Sequence, residues 1–304
     1  MSEPAVVTSL EQLQLTGTVL SIGNFDGVHA GHRALLSRMQ ELAAELSRPA
    51  VAVSFFPTSR MVFGNSGFLS SAREKTVLLS DFGPAAIVLI PFSREYAATD
   101  KQVFLKQIKA LEPAAITVGV DFRFGRDRQG SLNDLSLVTD KLEVFGLVKD
   151  GDAVISSSAI RDLLQGGDVG AANRLLGAPY LTIGEVVPGD RRGRTIGYPT
   201  ANLKVDAGKV LPPGVFAVTA EVAGNRLPGM ASAGARPMFP DGSPALEVHI
   251  FDYDGDLYGK QLEVRFISRL RDQQLFASLA ELTAALEEDE RTARRVLRQA
   301  GSLG

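Results

Sequence analysis

Two of the three histidines in the chain, His29 and His32, stand three residues apart across Gly31 in the run Gly23-Asn24-Phe25-Asp26-Gly27-Val28-His29-Ala30-Gly31-His32. Glycines let a backbone come close to a ligand. A helix opening here would offer unpaired N–H groups and the positive end of its dipole to phosphate oxygens. Imidazoles at this spacing can converge on one anion, so the run holds the parts of a phosphate-handling site. An isolated H-x-x-H is more often a helix cap beside a surface side chain; the glycines and the strand-loop-helix context weigh strongly against that here. A second run, Ile155-Ser156-Ser157-Ser158-Ala159-Ile160-Arg161, also opens a predicted helix. Its hydroxyls and amides can hold phosphate while Arg161, one turn in, supplies a bidentate cation, although three serines in a row are equally a cap. A third run, Gly119-Val120-Asp121-Phe122-Arg123-Phe124-Gly125-Arg126, follows a predicted strand, and its aromatics either wall a ring-binding pocket or belong to the core.

The elements that must position these runs alternate over the first 150 residues. Short stretches rich in Val, Ile or Phe at 19–22, 50–55, 86–90 and 115–120 have the texture of buried parallel strands. Between the first two, Leu35, Leu36, Met39, Leu42, Ala43 and Leu46 recur at helical spacing. Ser71 with Glu74, and Thr99 with Gln102, have capping-box spacing ahead of further helices. The β-α-β-α order predicts an α/β doubly wound parallel sheet, whose ligands sit beyond the carboxyl ends of its strands. Helical segments follow at 158–164 and 168–176, divided by Gly166-Gly167. Beyond residue 181, Gly and Pro become frequent, and β-rich runs at 181–187, 215–222, 246–251 and 261–267 predict a small antiparallel β-barrel. A charged helix with one apolar side closes the chain over 275–297, and the boundary between the halves falls near 177–181.

Composition narrows the chemistry. The chain has 304 residues, near the length of two domains. With no cysteine there is no disulfide framework, thiolate zinc site, Fe–S cluster or cysteine nucleophile. Three histidines make a three-histidine metal site improbable, and neither G-x-x-x-x-G-K-[ST] nor G-x-G-x-x-G occurs. The longest apolar stretch, 85–92, is broken by Pro91 and falls short of the ~20 residues of a membrane span. The first residues lack the basic-then-apolar pattern of a secretory signal. A net charge of −3 gives no general attraction to nucleic acid.

GNFDGVHAGH, VGVDFRFG and ISSSAIR, in that order, resemble the nucleotidyltransferase half of the prokaryotic bifunctional riboflavin kinase/FAD synthetase family. GRTIGYPTANL, PPGVFAV and LEVHIFDYDGDLYGKQLEVRF are similar to its riboflavin kinase half, so the resemblance runs nearly the length of the chain. It implies a nucleotidyltransferase-like, Rossmann-like domain over 1–179, transferring AMP from ATP to FMN to give FAD and pyrophosphate. It implies a riboflavin kinase barrel with a C-terminal helix over 180–304, making FMN from riboflavin. By this resemblance His29 and His32 stabilise charge developing on the α-phosphate. Gly23, Asn24, Phe25, Asp26 and Gly31 form the nucleotide loop, Asp121 lies near the adenosine, and Ser158 and Arg161 hold the departing pyrophosphate. In the kinase half Thr200 and Asn202 would bind Mg2+ and the nucleotide phosphates beside Gly193, Gly197 and Pro199, and Glu247 would accept the proton of the riboflavin hydroxyl. Mg2+ suits such a site because it keeps few protein oxygens and bridges phosphates. His249 receives no role.

The chain departs from the family pattern in three places. Phe-x-Pro-His-Pro is here Phe55-Phe56-Pro57-Thr58-Ser59, Asn-x-Gly-x-x-Pro-Thr-Phe begins at Ser232 and carries Met238, and Arg-x-Glu-x-Lys-Phe carries Gln273. Peripheral flavin contacts therefore differ, while the core residues of both halves remain. The resemblance implies a cytoplasmic enzyme using riboflavin, FMN and ATP, with neither nucleic acid nor membrane as partner, and leaves a homo-oligomer open. The alternatives are a paralogue with one working half, the FMN adenylyltransferase, and a catalytically silent flavin-binding protein.

Overall fold

The structure is a computed structural model that describes residues 3–64, 67–189, 193, 196–235 and 244–301. Two compact units divide the chain, Met1–Ser157 and Ser158–Gly304.

In the first unit β1 (Ala5–Val7), β2 (Val19–Ile22), β3 (Ala50–Phe56), β4 (Ala86–Pro91), β5 (Ala115–Gly119) and β6 (Leu142–Phe145) form one sheet in the order β1-β4-β3-β2-β5-β6. Every pairing in it is parallel. All four residues of β2 and the first six of β3 are buried, as expected where helices cover both faces and the strand sequence loses its polar alternation. The helices are α1 (Ala30–Leu46), α2 (Ser59–Phe63), α3 (Ala72–Ser80), α4 (Arg94–Ala97), α5 (Lys101–Lys109) and α6 (Leu132–Leu135), and a two-strand ribbon of β7 (Lys149–Asp150) and β8 (Ala153–Val154) follows. Leu35, Leu36, Met39, Leu42 and Ala43 are the buried stripe of α1, each large side chain contributing roughly 1.5–3 kcal/mol.

The Ser71–Glu74 capping box forms as its spacing predicts, opening α3. The second expected cap lies one residue later than predicted. Asp100, not Thr99, caps α5 by accepting the Gln102 N–H at 2.8 Å; a carboxylate suits the positive end of a helix.

The second unit begins with α7 (Ser157–Gln165, its first residue belonging to the first unit) and α8 (Val169–Leu176). A closed barrel follows, built from β9 (Tyr180–Val187), β10 (Ala201–Lys204), β11 (Gly214–Val222), β12 (Asn225–Ala235), β13 (Pro244–Ile250) and β14 (Gln261–Arg271) in the order β10-β13-β12-β11-β14-β9. All of its pairings are antiparallel, and β9–β10 closes the ring. Asn173 on α8 ties helix to barrel by donating to Phe266 O and accepting from Tyr180 N–H, both at 2.8 Å. The last helix, α9, runs Leu279–Gln299, four residues later than the sequence pattern predicts, and is capped by Ser278, whose hydroxyl accepts the Glu281 N–H. Its Ala293 and Leu297 pack on Ala217, Met230 and Phe251, and its buried Asp289 accepts hydrogen bonds from both Nε and Nη2 of Arg271.

Two candidate active sites

In the first unit the chain runs outward from β2 through β3 and β4, then returns to the other side of β2 as β5. Loops after β2 and β5 therefore diverge at the carboxyl ends, where such sheets bind ligands. The 23–29 loop is clamped from within. Gly23 N–H donates to Val53 O at 3.1 Å, extending the β2–β3 pairing by one step. The buried Asp26 carboxylate accepts the N–H groups of Leu69 and Ser70 at 2.8 and 3.1 Å. Gly27 N–H donates to Ser70 Oγ at 2.8 Å, and Ser157 Oγ donates to Asp26 O at 2.9 Å. Asn24 leaves its side chain exposed, while its carbonyl accepts from Ser54 Oγ at 3.0 Å and from Lys75 Nζ at 2.5 Å. These clamps hold Phe25 and Val28 in the left-handed region at φ 43° and 46°. For a β-branched residue that conformation costs roughly 1–2 kcal/mol, and the full burial of both side chains offsets it.

His29 occupies the N-cap of α1 and His32 its first turn. Their rings stack with centroids 3.6 Å apart and planes 18° from parallel, and Phe25 meets His32 edge-on at 5.2 Å. Gly31 lets the His29 ring lie close to the helix: a Cβ there would stand 3.3 Å from Cε1 and Nδ1 of His29, a tight contact. Both Nδ1 atoms are buried, with no hydrogen-bond partner among the described residues. Burial pushes His29 down to about 4, with the Asp26 and Asp121 carboxylates opposing the shift. Burial first, then His29 and Lys75, hold His32 well below the usual imidazole range. Both rings are thus neutral at pH 7, a preformed pair with unused hydrogen-bonding capacity at the head of a helix. Asp121, just past β5, is exposed.

In the second unit the strand alternation of β13 buries Leu246, Val248 and Ile250 on one side and turns Glu247 and His249 to the other. Asn202 on β10 and Ser232 on β12 are the direct cross-strand partners of Glu247. Three polar side chains therefore share one row on one face of the barrel wall. Ahead of β10 the Gly193 carbonyl accepts the N–H groups of Ile196 and Tyr198 at 3.2 and 2.8 Å, and Gly197 sits in this turn. A side chain at 193 would collide with the Tyr198 carbonyl. His249 Nδ1 lies 2.7 Å from the Pro199 carbonyl, so the ring donates there and fixes the start of the Pro199–Asn202 segment. Thr200 is exposed and Asn202 half-buried. Among the described residues no group of three or more His, Cys, Asp and Glu could hold a metal ion. A cation at this place would rest on the neutral oxygens of Thr200 and Asn202, the sparse protein coordination that Mg2+ accepts when phosphates and water complete it.

Ser158 and Arg161 lie together on α7, where the buried Arg161 guanidinium donates to Ser158 Oγ at 3.1 Å. Two of the departures meet: Gln273 Nε2 donates to Ser232 Oγ at 3.0 Å. Thr58, the third, is buried at the N-cap of α2, and Met238 lies outside the described residues. Sequence reasoning missed Lys75 and the bond that gives His249 a place. Lys75 shares a helical stripe with Leu78 and Leu79, and that spacing was the available signal.

Residues 11–159 match the family model for FAD synthetase, and residues 176–297 match that for riboflavin kinase. A bifunctional riboflavin kinase/FMN adenylyltransferase of Escherichia coli strain K12 is 38% identical over 300 residues, covering 95% of each chain. The protein of the same name from Bacillus subtilis is 33% identical over 91% of this chain and 92% of its own. A crystal structure described as that of a macrolide-efflux protein from Streptococcus pneumoniae superposes with a TM-score of 0.83 at 32% identity, covering 96% of this chain and 99% of that one. With both family models matched in order and relatives aligned almost end to end, the chain belongs to the bifunctional riboflavin kinase/FMN adenylyltransferase family, whose members phosphorylate riboflavin to FMN and adenylylate FMN to FAD.

Proposed function

We propose that adenylyl transfer belongs to residues 1–179 and riboflavin phosphorylation to residues 180–304, each with its own catalytic set. In the first, a phosphate oxygen of FMN attacks the α-phosphorus of ATP and pyrophosphate leaves. His29 and His32 donate hydrogen bonds to the α-phosphate as its charge grows, a matter of positioning and electrostatics that needs no covalent intermediate. The observation that carries this reading is the stacked pair itself, neutral and, among the described residues, with a buried and unpartnered Nδ1 on each ring. Gly23, Asn24, Phe25, Asp26 and Gly31 set the loop against the nucleotide, Asp121 serves the adenosine side, and Ser158 and Arg161 retain the pyrophosphate role that the resemblance implies.

In the second set Glu247 accepts the proton of the riboflavin 5′-hydroxyl as that oxygen attacks the γ-phosphorus and ADP leaves. Its cross-strand neighbour Asn202, with Thr200, would hold Mg2+ and the nucleotide phosphates, on the turn built by Gly193, Gly197 and Pro199. When bound, Mg2+ would neutralise charge on the transferring phosphoryl group. We place the enzyme in the cytoplasm, acting on small molecules without nucleic acid or membrane.

The test is a chromatographic product assay with Mg-ATP, run once with riboflavin and once with FMN. FMN and FAD from the first and FAD from the second are expected. FAD from FMN with no product from riboflavin would leave the chain an adenylyltransferase alone, and no product from either would turn the assignment toward a flavin-binding protein.

A further inference from the structure

Lys75 has no part in the mechanism above, yet it is the most completely buried charged side chain beside the histidine pair. It projects from α3 with none of its surface exposed. Its ammonium donates to the carbonyl of Asn24 at 2.5 Å and to that of Phe55 at 2.8 Å. The first acceptor lies just past the end of β2, in the loop that carries the histidines, and the second lies on β3. The ammonium therefore pins the phosphate loop to the neighbouring strand at the carboxyl edge of the sheet. Its aliphatic stem could have been an apolar residue; a buried cation costs far more than a methionine of similar length.

The geometry points to Lys75 as a positioning residue for FMN adenylylation, an ammonium that ties the 23–29 loop to β3 and supplies the positive field that two neutral imidazoles lack. The charged and titratable groups around it are few. Asp26, in the loop, favours the charged form; His32 feels the ammonium and is pushed further toward neutrality; His29 lies beyond, stacked on His32. Glu74, next on the same helix, accepts the Ser71 N–H in the capping box. Burial lowers the Lys75 ammonium to about 8, so its charge disappears within an accessible range of pH. An unprotonated amine can still bond both carbonyls, because it keeps two N–H groups. What is lost above pH 8 is the charge, and with it the attraction for a polyphosphate.

This inference rests on the reading that His29 and His32 receive the α-phosphate. The test uses the full-length chain, with FAD formation from FMN and FMN formation from riboflavin each followed from pH 6 to 10. Wild-type adenylylation is expected to fall above about pH 8. Lys75→Arg keeps a charge throughout and is expected to lose that fall, whereas Lys75→Met is expected to be on the order of 10²-fold slower and flat over the range. Riboflavin phosphorylation should be unchanged in both variants. A folded Lys75→Met enzyme with wild-type adenylylation, or an alkaline fall that survives in Lys75→Arg, would overturn the proposal. If Lys75→Met does not fold, the wild-type and Lys75→Arg profiles decide alone. His29→Ala separates the two readings: full adenylylation in it removes the histidine assignment, while its loss beside an unaltered Lys75→Arg profile removes only the role of Lys75.

Discussion

The two candidate sites solve the same problem, a nucleotide phosphate under attack by an oxygen nucleophile, with opposite materials. In the first unit the working groups around the loop are largely packed and internally bonded: a buried His29 stacked on a half-buried His32, a carboxylate occupied by backbone N–H groups, and a buried ammonium under the loop. In the second they stand on the wall of a barrel, with Thr200 exposed, Asn202 half-buried and Glu247 one strand away. The contrast follows from what each fold offers. A parallel sheet presents the carboxyl ends of its strands and the heads of its helices, so phosphate can be met by dipoles and neutral donors. A closed antiparallel barrel presents no such strand ends, and among the described residues its polar row of Asn202, Glu247 and Ser232 is built from neutral groups and one carboxylate.

The sharpest way to break that comparison is to disable one site and read the other. Glu247→Gln keeps the shape of the cross-strand row but cannot accept a proton, and riboflavin phosphorylation should fall by roughly 10²–10⁴-fold. FAD formation from added FMN should not change. His29→Ala should do the converse, lowering adenylylation by about 10²-fold or more and sparing phosphorylation. A common fall of both activities with the fold intact, judged by circular dichroism, would mean that the chemistry is not divided as drawn.

A smaller effect separates the units by pH. An unfolded imidazole binds its proton near 6.5, whereas His29 in place holds out to about 4. Between these values the unfolded chain carries more protons, so stability is full above 6.5 and is lost as pH falls toward 4. At about 1.4 kcal/mol per unit this amounts to roughly 3 kcal/mol, and His32 acts in the same direction. Thermal melting of the first unit's transition should drop over this range, and His29→Phe should flatten the drop.

Much of the first unit is legible from residue type and spacing because its strands and helices are strongly patterned. The buried runs of β2 to β5, the stripe of α1 and the Ser71 capping box need nothing beyond local sequence. The barrel is harder to read. β10 is Ala-Asn-Leu-Lys and β12 carries Pro228, Gly229 and Gly234, sequences without intrinsic preference for a strand, and only pairing on both sides makes them strands. The same non-local register sets Glu247 beside Asn202 and Ser232, residues from separate strands that no local spacing links. Lys75 escaped for the reverse reason: a lysine is read as surface, and only the tertiary position of two carbonyls makes its burial tolerable.

The smallest expected effect concerns the edge of the barrel row. Gln273 extends the row from β14's end by donating to Ser232 Oγ, and Ser232 pairs directly with Glu247. That bond is exposed, so its net worth is about 0.5–1.5 kcal/mol, at most roughly tenfold in an equilibrium. Gln273→Ala leaves the proton acceptor and the Thr200–Asn202 segment untouched, so it should weaken flavin binding without slowing the chemical step. The expected result is a riboflavin KM raised a few-fold with kcat unchanged and adenylylation unaffected. A fall in kcat instead would mean that Ser232 and Gln273 orient Glu247 itself, and the catalytic row of the barrel would then be four side chains wide.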